Sequence, residues 1–99
     1  MSTLKLFIDT HDKSKDTFPE GLTKAQFAEF YAKYVTICEE EGVISLRAHV
    51  GLDDSRAFCF NMAPDIDSVK RAHDRAGLPY DSITEVRTAT PGDLFLNNN

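Results

Sequence analysis

The stretch Arg47-Ala48-His49-Val50-Gly51-Leu52-Asp53-Asp54-Ser55-Arg56-Ala57-Phe58-Cys59-Phe60-Asn61-Met62-Ala63-Pro64-Asp65 decides the fold. Residues of opposite polarity alternate on both sides of Asp53-Asp54-Ser55, whose composition is that of a turn. The segment therefore reads as a β-hairpin, out along Val43 to Leu52 and back along Arg56 to Met62. Pro64 at the first helical position, with Asp65 and Asp67 in the first turn, then opens a helix. That helix reaches Ala76, stops at Gly77 and cannot continue through Pro79.

Upstream, Thr23 and Gln26 have the spacing of a capping box, with Leu22 and Phe27 as its hydrophobic staple. Phe27, Phe30, Tyr31, Tyr34 and Cys38 follow as one apolar helical stripe, ending near Gly42. Glu39-Glu40-Glu41 in its last turn opposes the helix dipole, a local conflict that the sequence does not resolve. Leu4, Leu6 and Ile8 alternate with Lys5, Phe7 and Asp9 in a first strand over residues 3–9. A polar loop of about a dozen residues, Thr10 to Gly21, joins that strand to the helix, and loops of such length are often functional. Ile83 to Ala89 reads as the last strand, before Pro91-Gly92-Asp93 and a short tail. The order β-α-β-β-α-β over residues 1–99 predicts a single α+β domain. It is a ferredoxin-like sandwich, a four-stranded antiparallel sheet with two helices on one face.

Composition narrows the function. The 99 residues hold 16 acidic and 11 basic side chains, a net charge of −5, which argues against nonspecific nucleic-acid binding. No apolar run reaches the ~18 residues of a membrane span, and Met1-Ser2-Thr3-Leu4-Lys5 does not read as a signal peptide. Cys38 and Cys59 lack Cys-x-x-Cys spacing, which sets aside a zinc knuckle and favours reduced cytosolic thiols. Phosphate-binding Gly loops, a Gly-x-Ser-x-Gly elbow and His-Glu-x-x-His are all absent from the sequence.

The register of the hairpin then assigns the faces of the sheet. A three-residue loop at 53–55 turns Leu46, Ala48, Val50, Phe58, Phe60 and Met62 toward the helices. It sets His49 opposite Cys59 and Arg47 opposite Asn61 on the open face, whereas an even loop would mix Phe58 with His49. Ser55 suits the left-handed position of such a loop less well than glycine. Lys5, Phe7, Asp9, Ser45, Glu85 and Arg87 would share the open face with the hairpin's polar residues. A thiol, an imidazole and two carboxylates there form a mixed ligand set that suits nickel, zinc or cobalt. The plain alternative is a solvated or dimer-facing surface. His73, on the inward stripe with Ile66, Val69 and Ala76, reads as a hydrogen-bonded core residue across the sheet from His49 and Cys59. His11 reads as a solvated loop residue and Cys38 as an apolar filler. His49 acting as a base beside a Cys59 nucleophile is the main catalytic alternative.

Several motifs together resemble a known family. They are Phe7-Ile8-Asp9-Thr10-His11-Asp12, Leu46-Arg47-Ala48-His49-Val50, Ala57-Phe58-Cys59-Phe60, Ala63-Pro64-Asp65, Val69-Lys70-Arg71-Ala72-His73 and Ile83-Thr84-Glu85-Val86. The family comprises small bacterial proteins that carry a domain of unknown function and are labelled nickel-binding. The resemblance implies a ferredoxin-like fold, a dimer and a nickel site, with His11, His49, Cys59, His73 and Glu85 as the matching polar positions. The expectation is a small cytosolic protein that binds nickel or another divalent transition metal. It would be homodimeric, with neither nucleic acid nor membrane as partner. The alternative is a dimeric α+β barrel enzyme or small-ligand module using His49, Cys59 and Glu85 on the open face, the tail Leu94-Phe95-Leu96 covering its partner.

Overall fold

In a computed structural model that describes residues 3–96, β1 (Lys5–Asp12) leads into α1 (Lys24–Glu40) and the hairpin β2 (Ile44–Gly51) and β3 (Arg56–Ala63). Then follow α2 (Ile66–Ala76) and β4 (Ser82–Val86). The four strands form one antiparallel sheet in the order β2-β3-β1-β4, with both helices on one side, as the ferredoxin-like reading requires.

Local signals at the helix ends act as expected. The Thr23 hydroxyl accepts from the Gln26 backbone N–H, and the Gln26 side chain accepts from the Thr23 N–H, completing the capping box. Asp65 caps α2 by accepting from the Ser68 N–H at 2.8 Å, so Pro64 precedes the cap instead of occupying the first helical turn. Gly77 ends α2 at φ 69°, a left-handed conformation that glycine adopts freely. The acidic end of α1 is met from α2: Arg71 and Arg75 donate to Glu41, and Arg75 also to Glu40. Those guanidiniums answer the conflict with the helix dipole.

The chain differs from expectation at three places. β1 continues to Asp12, which puts His11 in a strand and not in a loop; a short 3₁₀ turn over Lys13–Lys15 follows. The last strand is divided: β4 ends at Val86, and β5 (Thr88–Thr90) pairs with β6 (Asp93–Leu96) in a separate two-stranded ribbon around Pro91-Gly92. Leu94 of the expected covering tail is exposed, and the side chains of Phe95 and Leu96 lie outside the described residues.

The third difference inverts the sheet. Phe7, Asp9 and His11 of β1 face the helices and are buried, as are Ala57, Cys59, Asn61 and Ala63 of β3. They meet a core of Tyr34, Ile37, Cys38, Val43, Val69, Ala72 and Ala76. The opposite set, with Leu6, Ile8, Phe58, Phe60 and Met62, occupies the open face and is half-buried. Both parities of these strands are apolar enough to make a face. What selects between them is that Asp9 and His11 satisfy each other's polar atoms inside the core.

The hairpin contributes to the inversion. Its loop has four residues, Leu52–Ser55, between the pair Gly51 and Arg56, with Ser55 left-handed at φ 56°. That even loop sets His49 opposite Phe58 and Arg47 opposite Phe60, both on the open face, and a bulge between Ser45 and Arg47 shifts the register only beyond them. The Arg47 guanidinium sits 4.3 Å above the Phe60 ring and donates to His49.

Replacing the α1 cap, Thr23→Ala, should cost about 1 kcal/mol. Melting followed by circular dichroism should fall by roughly 4–8 °C, as expected for a domain of this size. An unchanged melt would show that the capping box does not stabilise α1.

Candidate metal centre

In a strand, residues two apart point the same way, so β1 carries Asp9 and His11 side by side into the core. From the layer above, α2 lowers His73 onto the same spot. Nε2 of His11 lies 2.7 Å from Oδ1 of Asp9, and Nε2 of His73 lies 3.1 Å from that oxygen. All three residues are buried, Asp9 and His73 completely. The two imidazoles stack with ring centres 5.5 Å apart.

The far nitrogens fix the chemistry. Nδ1 of His11 is 2.7 Å from the Pro79 carbonyl, and Nδ1 of His73 is 2.9 Å from the Val69 carbonyl. A carbonyl oxygen only accepts, so each Nδ1 carries a hydrogen and donates it. A neutral ring must then aim a bare Nε2 lone pair toward the Asp9 carboxylate. Two lone pairs and an anionic oxygen repel unless a proton or a cation lies among them. Backbone carbonyls that orient imidazoles through the remote nitrogen are the usual outer support of a metal site.

Spacing agrees with such a site. One ligand atom from each of Asp9, His11 and His73 lies within 4.8 Å of the others. Ligand bonds of about 2.1 Å at right angles separate neighbouring donors by about 3.0 Å, and the 2.7 and 3.1 Å contacts bracket that separation. The surroundings carry polar atoms the protein leaves unpaired. Among the described residues, the buried side-chain atoms without a hydrogen-bond partner are the Tyr34 hydroxyl and Oδ1 of Asn61. Asn61 donates to Oδ2 of Asp9 at 2.7 Å, and the Tyr34 ring is 4.9 Å from that of His73. The donors present therefore fit a divalent cation.

Electrostatics follow from burial and these partners. Burial pushes the Asp9 carboxyl up, but hydrogen bonds from His11 and His73 outweigh it and hold it below its usual range. Burial lowers His73, and the Asp9 carboxylate more than restores it, so the ring holds a proton above the usual histidine range. Burial, and then the Asp9 charge, push the Cys59 thiol far up, which makes it a neutral thiol instead of a ready nucleophile.

Of the five positions singled out in the sequence, His11, Cys59 and His73 come together on the helix side. Cys59 stands opposite Asp9 in the β1–β3 register and is buried on the same side of the sheet. His49 lies across the sheet against Phe60, and Glu85 is exposed on β4 opposite Phe7. The shared open-face constellation of His49, Cys59 and Glu85 is thereby corrected: Cys59 and His49 emerge on opposite sides, because the four-residue loop shifts their pairing by one residue. The member of the cluster not singled out among those five is Asp9. Its signal was the Asp9-x-His11 spacing, read together with an inward His73.

The paired groups predict how stability of the metal-free protein varies with pH. His73 is raised above its ordinary 6.5, so its contribution is complete below that value and is lost as pH rises through the folded-state value. Asp9 is lowered from 3.8, so its contribution is present above that value and is lost as pH falls through the folded-state one. Metal-free melts should therefore peak between these limits and decline above neutrality, and His73→Gln should flatten the alkaline decline. A decline identical in the variant would contradict the pairing.

Among curated proteins, none matches the chain. The crystal structure of SCO4226 from Streptomyces coelicolor A3(2) is similar, with a TM-score of 0.75 and 25% identity over 86% of this chain and 99% of that one. A family model described as "Nickel responsive protein SCO4226-like" matches residues 7–86, a span that includes Asp9, His11 and His73. The chain belongs to this SCO4226-like family of nickel-responsive proteins.

Proposed function

We propose that the chain binds a divalent transition metal, nickel foremost, through Nε2 of His11, Nε2 of His73 and Oδ1 of Asp9. The observation that carries this reading is the convergence of two remotely anchored imidazoles on one buried carboxylate oxygen. Two imidazoles and a carboxylate suit nickel, cobalt, zinc or iron over calcium or magnesium. The preference for nickel within that group rests on the family description. When bound, such an ion supplies Lewis acidity and coordination positions beyond the three protein donors. The ligands come from β1 and α2, so occupancy joins the sheet to the helix layer. Binding to the folded state alone then stabilises the protein by mass action, which is a physical basis for a nickel response.

A homodimer through the open face accompanies this reading. Leu6, Ile8, Phe58, Phe60 and Met62 lie there half-buried, with Ile44 and Leu46 exposed at 50% and 44% on the adjoining strand. A second copy of the same face is the self-complementary cover for such a patch. A cytosolic setting accords with two free buried thiols, of which burial pushes Cys38 up to about 11.

Mass spectrometry and calorimetry on untagged protein should find about one nickel per chain, bound more tightly as pH rises and protons leave the imidazoles. His11→Ala, His73→Ala and Asp9→Asn should each weaken binding by more than about 100-fold, while His49→Ala and Glu85→Gln leave it unchanged. Nickel retained after loss of His11 and His73 sinks the assignment. Phe60→Glu should convert the dimer to monomer by light scattering, and a wild-type monomer ends the assembly proposal.

A further inference from the structure

Beside the triad lies a cavity of about 380 Å³, on the helix side of the sheet. Its floor is formed by His11, His73 and Cys59. Phe18, Phe27, Phe30, Tyr31 and Leu78 line its walls, and the exposed Pro19 and Pro79 stand among its outer residues. The long loop after β1 thus supplies Phe18 and Pro19, and α1 supplies four aromatic side chains, Phe27, Phe30, Tyr31 and Tyr34. A volume near the lower end of the ligand-pocket range, apolar walls and a few convergent polar groups describe a small-molecule site. Nothing in metal storage requires such walls.

We infer that this cavity holds a small aromatic monocarboxylate, its ring against Phe27, Phe30 and Tyr31 and its carboxylate at the His11–His73–Asp9 centre. This rests on the metal reading above. Charge selects the ligand: two neutral imidazoles, one carboxylate and a dication leave one net positive charge, which a monoanion neutralises. Among the described residues neither Lys nor Arg lines the cavity, so no second anionic group is accommodated along the walls, and Asp16 in the lining disfavours one there. The stacked aromatic pair Phe27 and Tyr31, with ring centres 5.7 Å apart, offers flat faces to a ring. Tyr34, whose buried hydroxyl has no hydrogen-bond partner among the described residues, is also in the lining.

The test uses the full chain, nickel-loaded and metal-free, with metal content measured first. Benzoate is titrated and followed by the proton resonances of benzoate and the amide shifts of the protein. Benzoate should bind the nickel form at least about tenfold more tightly than the metal-free form, with paramagnetic broadening of its ring protons. Acetate and toluene, each lacking one half of the recognition, should bind at least about tenfold more weakly. Phe30 is already 45% exposed, so Phe30→Ala should keep the fold and nickel while losing several-fold in benzoate affinity. Nickel bound with no benzoate binding, or equal benzoate binding with and without nickel, overturns this inference and leaves the metal site standing. Failure to bind nickel overturns the metal reading itself, and this inference with it.

Discussion

A fully buried carboxylate governs this molecule. Asp9 sits in the core with no exposure, where an isolated anion is untenable. Its partners come from three separate elements: His11 on β1, Asn61 on β3 and His73 on α2. To satisfy Asp9 the chain must set β1 against β3 in one register and dock α2 over both. The choice of which sheet face to bury follows from that same requirement. Polar chemistry, as much as apolar area, therefore selects this arrangement over its mirror assignment of faces.

Much of the fold was legible because its signals are local. Thr23 with Gln26, Gly77 before Pro79, and the turn residues between two alternating runs each act within a few residues, and each holds. The faces were not legible. Leu4, Leu6 and Ile8 form a more apolar set than Phe7, Asp9 and His11, so periodicity alone points the wrong set inward. Hydropathy treats a mutually satisfied His–Asp pair as solvated, and the bulge between Ser45 and Arg47 leaves no mark in composition. His73 held the clue: an inward histidine placed across the sheet from the other candidate ligands was inconsistent with that choice of face. Turning β1 and β3 over removes the conflict for His11 and Cys59 and leaves His49 across the sheet. Glu85, paired with Phe7 on the helix-facing side, stands apart because it is exposed on the edge strand β4.

The long loop after β1 illustrates a different kind of legibility. Its length marked it as a functional candidate, and it supplies Thr17, Phe18 and Pro19 to the cavity beside the triad. What length could not convey is the position of that cavity, between α1 and the helix-facing side of the sheet. The open face, expected to carry the chemistry, instead carries a half-buried apolar surface suited to self-association. The His11–His73–Asp9 cluster and the half-buried apolar surface thus occupy opposite sides of one sheet.

X-ray absorption at the nickel edge tests the central claim most directly, because it identifies donor atoms without relying on mutants that unfold. The account predicts a first shell of nitrogen and oxygen only, with the multiple-scattering pattern of two imidazoles and no sulfur. A sulfur shell, or the signature of fewer than two imidazoles, would contradict a centre built on Asp9, His11 and His73.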